Sequence, residues 1–463
     1  MLRSLWLFGL YVAFLGMGFS APFVVTLGYV WVDIFQPQNV AYFLLNQFPV
    51  AMLMGAAAVG TYALFDRRSP PPVSLETILQ IVIALYMTMS MLWAVKPDAA
   101  WEKWDWAFKT MVFSAFVPFV IRSRVQIEAF ATTYVFALAA NFVPFGIKTI
   151  ISGGGYGTNL GLQAGNGGLA EGGLLSTFCL MTVPLALFLS SHGQLIPRMK
   201  IMPLAYWGVA GLAVVTAVGT YERSALIGLL VVLAFMVGLS KHKIGFSLAA
   251  VAVLVGLVYF TSDKWTERIS SIRDYNQESS AYTRVLVWRW TLEFAAEHPF
   301  GGGLQSYLVN HIELPGMDGN PPTIQYGRAF HSIYFEMLGE LGYPGLAMFL
   351  TTIGWTFFRL GRTAKRARAT GDPDLDWVRT LARSLQAGLT AFMSSGAFVG
   401  IAFQPMIWYF VAMSVSLNAY MYRVERGTQS TQTGWRATAA IPVSGGWRNR
   451  PAATPAGAVS RTR

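Results

Sequence analysis

Four stretches of this chain, Val40–Leu64, Gly172–Ser191, Ile201–Tyr221 and Ser224–Ser240, contain no Asp, Glu, Lys or Arg. A helix needs roughly 17–25 such residues to cross the hydrocarbon of a bilayer. Helices of soluble cores are shorter and striped with polar residues. Only 12% of the 463 residues are charged, against about 25% in an average soluble domain. The expected fold is therefore an all-α polytopic membrane protein.

Twelve candidate spans follow from the hydropathy. The first six are Leu5–Val32, Val40–Leu64, Ile78–Val95, Trp106–Ile121, Ala129–Ile147 and Gly172–Ser191. The others are Ile201–Tyr221, Ser224–Ser240, Ile244–Ser262, Ser332–Phe358, Ser384–Phe403 and Pro405–Tyr422. Leu5–Val32 is too long for a signal-peptide core, so it is expected to stay as a first helix, broken or kinked by Pro22. The fourth span is weak, being short and containing Lys109. The organisation expected is spans one to nine in 1–261, a large external loop with short helices in 262–330, spans ten to twelve in 331–423, and a disordered basic tail in 424–463.

Basic residues orient these spans. With both termini inside, every inner segment is basic, as membrane insertion favours, and 23 of the 34 Lys and Arg fall there. The net charge of +11 is then largely a matter of anionic inner-leaflet lipid. Nucleic-acid binding lacks an aromatic-basic module, and the absence of an internal repeat weakens a transporter reading. The single cysteine, Cys179, excludes internal disulfides and cysteine metal clusters.

The outward cations go against that rule. Lys264, Arg268, Arg273, Arg284, Arg289 and Arg328 lie in the large loop, Arg223 in a short external turn, and Lys148 just before a glycine-rich stretch. Within the loop, Ala281–Glu297 has Val285, Trp288, Leu292 and Ala295/Ala296 at helical spacing. Such a helix would lie on the membrane surface with its apolar side down. Arg284 and Trp288 are four apart and share a face. An interfacial arginine that snorkels is the plainer reading of Arg284.

His331 stands where the loop turns into a span, with Glu336 and Glu340 within its first turns. Ionisable groups at that depth need a function or a partner. An internal salt bridge is the plainer role for Glu336, which lies about 140° around an ideal helix from His331. Gly301–Gly303 lacks the Gly-Lys-Ser/Thr ending of a phosphate loop, so a hairpin or helix stop is expected. The other histidines have no metal-ligand spacing. Asp372-Pro373-Asp374 falls on an inner loop, where it offsets neighbouring arginines, and no metal site is expected.

Four segments in order, GTYERSALIGLL (219–230), ESSAYTRVLVWRW (278–290), HPFGGGL (298–304) and HSIYFEMLGELGYPGL (331–346), resemble the O-antigen ligase and polymerase superfamily. The likeness is closest to the O-glycosylation ligases that accompany exosortase systems. It implies a glycosyltransferase of the bacterial inner membrane, working without a cofactor at the periplasmic face. The implied reaction moves a glycan from an undecaprenyl-pyrophosphate donor to an acceptor hydroxyl on protein, lipid or glycan, inverting the anomeric carbon. His331 would be its base, Arg223, Arg284 and Lys148 its pyrophosphate ligands, and Glu336, Glu340, Arg328 and Trp288 their support. A polymerase of the same superfamily differs only in acceptor, and a lipid-linked glycan transporter is the remaining alternative. Glu171, in AEGG (170–173), departs from the acidic-then-asparagine pattern of relatives and leaves a polar contact there in doubt.

Overall fold

The structure, a computed structural model, describes residues 2–41, 44–66, 68, 70–71, 73–152, 171–196, 201–239, 244, 247–248, 279–314 and 322–427. Its first helices are α1 (Leu2–Gly18), α2 (Pro22–Phe35), α3 (Val50–Phe65), α4 (Leu75–Ser90) and α5 (Pro97–Val120). They continue with α6 (Arg124–Ser152), α7 (Gly172–His192), α8 (Ile201–Gly219) and α9 (Arg223–Leu239). Then come α10 (Ser279–Glu297), the antiparallel pair β1 (His311–Leu314) and β2 (Thr323–Tyr326), α11 (Ile333–Ala369), α12 (Asp376–Ser395) and α13 (Pro405–Glu425).

Among the described residues, four helices are long and apolar enough to cross a membrane: Leu75–Trp93, Arg124–Ile151, Gly172–His192 and Ile201–Gly219. The helices α1, α2, α3 and α9 are apolar but shorter. The chain is thus an all-α, membrane-embedded protein. The α7 helix is buried along almost its whole length, so others shield it from lipid. The ninth expected span falls mostly outside the described residues, as do Lys264, Arg268, Arg273, most of the glycine-rich stretch and most of the tail.

The first expected span is corrected by the structure. Pro22 lacks an N–H and starts a new helix at its first turn, so the run folds as two helices. Gly18 of α1 packs against Val25 of α2, and Gly28 against Phe14, a pattern that only an antiparallel pair produces. Arg3 accordingly donates to the Val40 carbonyl at 2.6 Å. The other end of α1 meets the end of α3, where the Phe19 and Phe65 rings lie 6.5 Å apart. Just beyond, Arg68 binds Asp66 and the Val120 carbonyl, and Arg423 donates to the Arg122 carbonyl. At 1.5 Å per residue, the 17 residues of α1 place Arg3 about 25 Å from that basic end. The termini of the bundle therefore lie at opposite ends, against the expectation that both lie inside.

The fourth span is corrected as well. Helix α5 begins nine residues earlier than expected and has 24 residues. Its extra turns are polar and include the buried Lys103 and Asp105, which pairs with Lys109 of the expected span at 2.6 Å.

Helix α11 is broken within its length. Gly342 has φ 65° and ψ −166°, and Pro344 follows. The Gly301–Gly303 run closes on this break: Gly302 N donates to Gly339 O at 2.9 Å, Gly303 N to Glu340 O at 3.0 Å, and Tyr343 N to Pro299 O at 3.0 Å. A Cβ on Gly301 would come within 2.4 Å of the Glu340 carbonyl, and one on Gly342 within 2.2 Å of the Pro299 carbonyl. The run is a helix stop after α10, as expected, and its glycines also satisfy carbonyls that the break exposes.

The hairpin gives a direct test. With Cys179 replaced, Ser20→Cys and Thr370→Cys should react with an impermeant thiol reagent from one face of the membrane, and Asn39→Cys from the other. A continuous first span would instead hide Ser20→Cys from both.

Candidate active site around His331

The centre of the site is a buried ion triad. Lys103 Nζ lies 2.7 Å from Glu336 Oε1 and 2.8 Å from both oxygens of Glu340. The second oxygen of Glu336 accepts from Ala402 N at 2.9 Å, and Glu340 Oε1 also accepts from Gln305 N at 2.9 Å. Lys103 sits 4.6 Å from the centre of the Phe403 ring. Every carboxylate oxygen has a partner, which two acids in a low-dielectric interior require. The salt-bridge reading of Glu336 holds, and Glu340 shares it. Sequence reasoning missed Lys103, whose partners lie 233 and 237 residues away. Two unpaired acids in one span were the available signal that a distant cation was needed.

Just above the triad, His331 has φ 48°, a left-handed conformation uncommon outside glycine. Such strain persists only where neighbours over-determine it, and here they do. Trp288 Nε1 donates to the Phe330 carbonyl at 2.9 Å, and its ring stacks on Phe335 at 5.1 Å. Phe330 is buried against Gly339, where a Cβ would come within 2.4 Å of its ring. Asn310 grips Arg328 by both its N–H and its carbonyl, at 2.9 and 2.6 Å. On the other side, Ser332 caps α11 by accepting from Tyr334 N. Held from both sides, the His331 ring lines a cavity of about 260 Å³ together with Lys103, Trp106, Glu171, Tyr307 and Gln404.

Burial, followed by the positive charges of Arg284 and Arg328, pushes the His331 pKa down to about 4. The ring is therefore neutral at pH 7 and can accept a proton. Its Nδ1 lies 3.9 Å from Glu171 Oε1, beyond direct hydrogen-bond reach, so the residues of AEGG adjoin His331 without bonding it. Burial and the neighbouring Glu222 carboxylate raise the pKa of Glu171, while Arg284 lowers it.

The structure places the expected residues unevenly. Arg284 and Trp288 share a face of α10, as their spacing implies; Trp288 bonds beside His331, and the charge of Arg284 bears on both His331 and Glu171. Arg328 is three residues from His331 and binds Gln325 at 2.6 Å. Arg223 opens α9 next to Glu222, whose side chain lies against Gly172. Lys148 is exposed near the end of α6, one residue before Thr149, which packs on Gly219. Val285 and Leu292 remain 41% and 51% exposed, with the exposed Arg289 between them on the same face of α10, while Ala295 is buried. At the far end of α11, the Asp372 side chain accepts from Asp374 N at 2.8 Å and caps a short turn.

Loss of Lys103 should show which interaction holds this arrangement. Removing one partner of a buried pair typically costs about 3–5 kcal/mol, so Lys103→Met should sharply lower the thermal unfolding midpoint in detergent. A Lys103→Met protein as stable as wild type would contradict a charged triad.

Residues 208–350 match the family described as O-Antigen ligase. Residues 2–194 match a family of unknown function, DUF5935. No curated protein matches the chain. The first match supports the O-antigen ligase and polymerase superfamily and, in general terms, a ligase- or polymerase-like membrane glycosyltransferase. The site draws on both regions: Lys103 and Glu171 come from the first, and Arg284, His331, Glu336 and Glu340 from the second.

Proposed function

We propose that this protein transfers a glycan from a polyprenyl-pyrophosphate donor, undecaprenyl pyrophosphate in a bacterial inner membrane, to an acceptor hydroxyl at the periplasmic face. The observation that carries this reading is a neutral histidine fixed at a cavity mouth beside two arginines. Pyrophosphate oxygens suit guanidinium forks, which bind them through paired hydrogen bonds. Arg284 takes that role, joined by Arg223 and Lys148 from the neighbouring turn and helix end. The basic end around Arg68, Arg122 and Arg423 is then cytoplasmic.

In the reaction, His331 accepts the proton of the acceptor hydroxyl. The freed oxygen attacks the anomeric carbon as its bond to the pyrophosphate breaks, and polyprenyl pyrophosphate leaves with the bonding pair. The proton passes from His331 to solvent. One displacement inverts the anomeric centre. Fixed cations offset the charge growing on the leaving group, so the step calls on no metal. Protein hydroxyls are the acceptor favoured by the exosortase-type likeness, and a polymerase would use the same donor chemistry with a growing glycan.

A general base contributes about 10²–10⁴-fold, so His331→Ala should lower turnover by that much while donor binding survives. Wild-type turnover in His331→Ala would remove the proposal. Arg284→Lys keeps the charge but loses the fork. It should cost about 10- to 100-fold in kcat/KM, the worth of a charge-assisted hydrogen bond. Equal activity of the lysine variant would mean that only a point charge is needed.

A further inference from the structure

The triad and His331 account for two sides of the 260 Å³ cavity, and the rest of its lining has no role in the chemistry above. That remainder includes Trp106, Tyr307, Gln305, Phe403 and Gln404. It combines aromatic faces with amides and the Glu171 carboxylate. Apolar ring faces pack on aromatic rings, while hydroxyls need acceptors. Pockets enclosing a whole small-molecule ligand run about 300–1,000 Å³, so this volume suits a single ring.

Gln404 supplies an independent observation. It is 6% exposed and lines the cavity, yet its Oε1 is buried without a hydrogen-bond partner. An amide oxygen left in that state is costly. The terminal torsion of glutamine is soft and roughly two-fold, so a turn of the amide can present the oxygen to a hydroxyl or amide N–H in the cavity. The charge of the lining is also one-sided. Three carboxylates, Glu171, Glu336 and Glu340, line the cavity with one ammonium, Lys103, and Arg284 and Arg328 are not in the lining. A ring carrying its own carboxylate would be repelled there.

Resting on the donor reading above, we infer that this cavity is the subsite for the pyrophosphate-linked sugar of the donor, that it accepts an uncharged ring and discriminates against a uronate, and that Gln404 reads one of the ring's hydroxyl or acylamino groups. The placement follows from the reaction. The anomeric carbon must sit between a pyrophosphate held by arginines and the hydroxyl that His331 activates. The ring attached to that carbon then falls into the space behind His331.

The test compares three ligands on the full-length protein in nanodiscs: polyprenyl pyrophosphate, the same lipid bearing N-acetylglucosamine, and the same lipid bearing glucuronic acid. The N-acetylglucosamine lipid should bind about 10-fold tighter than the bare one, the worth of one or two buried hydrogen bonds, and the uronate no tighter than the bare lipid. Gln404→Leu, close to glutamine in shape, should cut the sugar's advantage about 3- to 10-fold and leave bare-lipid binding unchanged. Its thermal midpoint should not fall, because the wild-type oxygen has no partner to lose. Trp106→Ala, on a different element, should cut the same advantage. A sugar advantage that survives both substitutions, or a uronate bound as tightly as N-acetylglucosamine, would overturn the inference while leaving the donor reading intact. Failure of the bare polyprenyl pyrophosphate to bind at all would overturn both.

Discussion

Lys103, placed between Glu336 and Glu340, is the interaction on which the rest of this site depends. It joins the polar start of α5 to the first turns of α11 across more than 230 residues of chain. Ionised groups in a membrane protein are stable only when they face one another or a polar cavity, and the triad does both. It pulls in backbone as well: Glu336 fixes Ala402, and Glu340 fixes Gln305. Those two bonds set the positions of the segments before α13 and after the Gly301–Gly303 run. The cavity is thus bounded by segments that answer to one lysine.

A second constraint sits one layer outward. The break of α11 at Gly342 leaves carbonyls that the glycine run satisfies, and this close backbone approach anchors α10 over the helix. From there Trp288 reaches the Phe330 carbonyl, which helps hold His331 in its left-handed conformation. Burial there, with the charges of Arg284 and Arg328 adding to it, keeps the imidazole neutral. Arg284, proposed above as a pyrophosphate ligand, is thus also one of the charges that lower the pKa of His331.

Much of this was legible in the sequence because it is local. Uncharged runs announce helices, and the i,i+4 spacing of Arg284 and Trp288 put both on the face that meets His331. What could not be read was non-local or carried no charge signal. Ser20-Ala21-Pro22 reverses the chain inside an uninterrupted apolar run, so hydropathy merged α1 and α2 and misplaced Arg3. Nothing around Lys103 in the sequence singles it out, because its partners lie in another part of the chain. Glu171 adjoins a glycine-rich stretch with no periodicity to orient it. The purpose of Gly301–Gly303 depends on a break 40 residues later. Gln404 lies beyond both matched regions, and nothing in its neighbours sets it apart.

The account turns on a histidine that is neutral because protein and arginines surround it. The most direct measurement is the pH dependence of kcat/KM for glycan transfer, which reports ionisations of the free enzyme. A base with its pKa lowered to about 4 keeps its reactive form at all higher pH and loses it only as pH falls through that value. The account predicts a rate that is level from pH 7 to 5 with an acid limb near 4, and no such limb in the residual activity of His331→Ala. An acid limb near the ordinary histidine value of about 6.5 would contradict it.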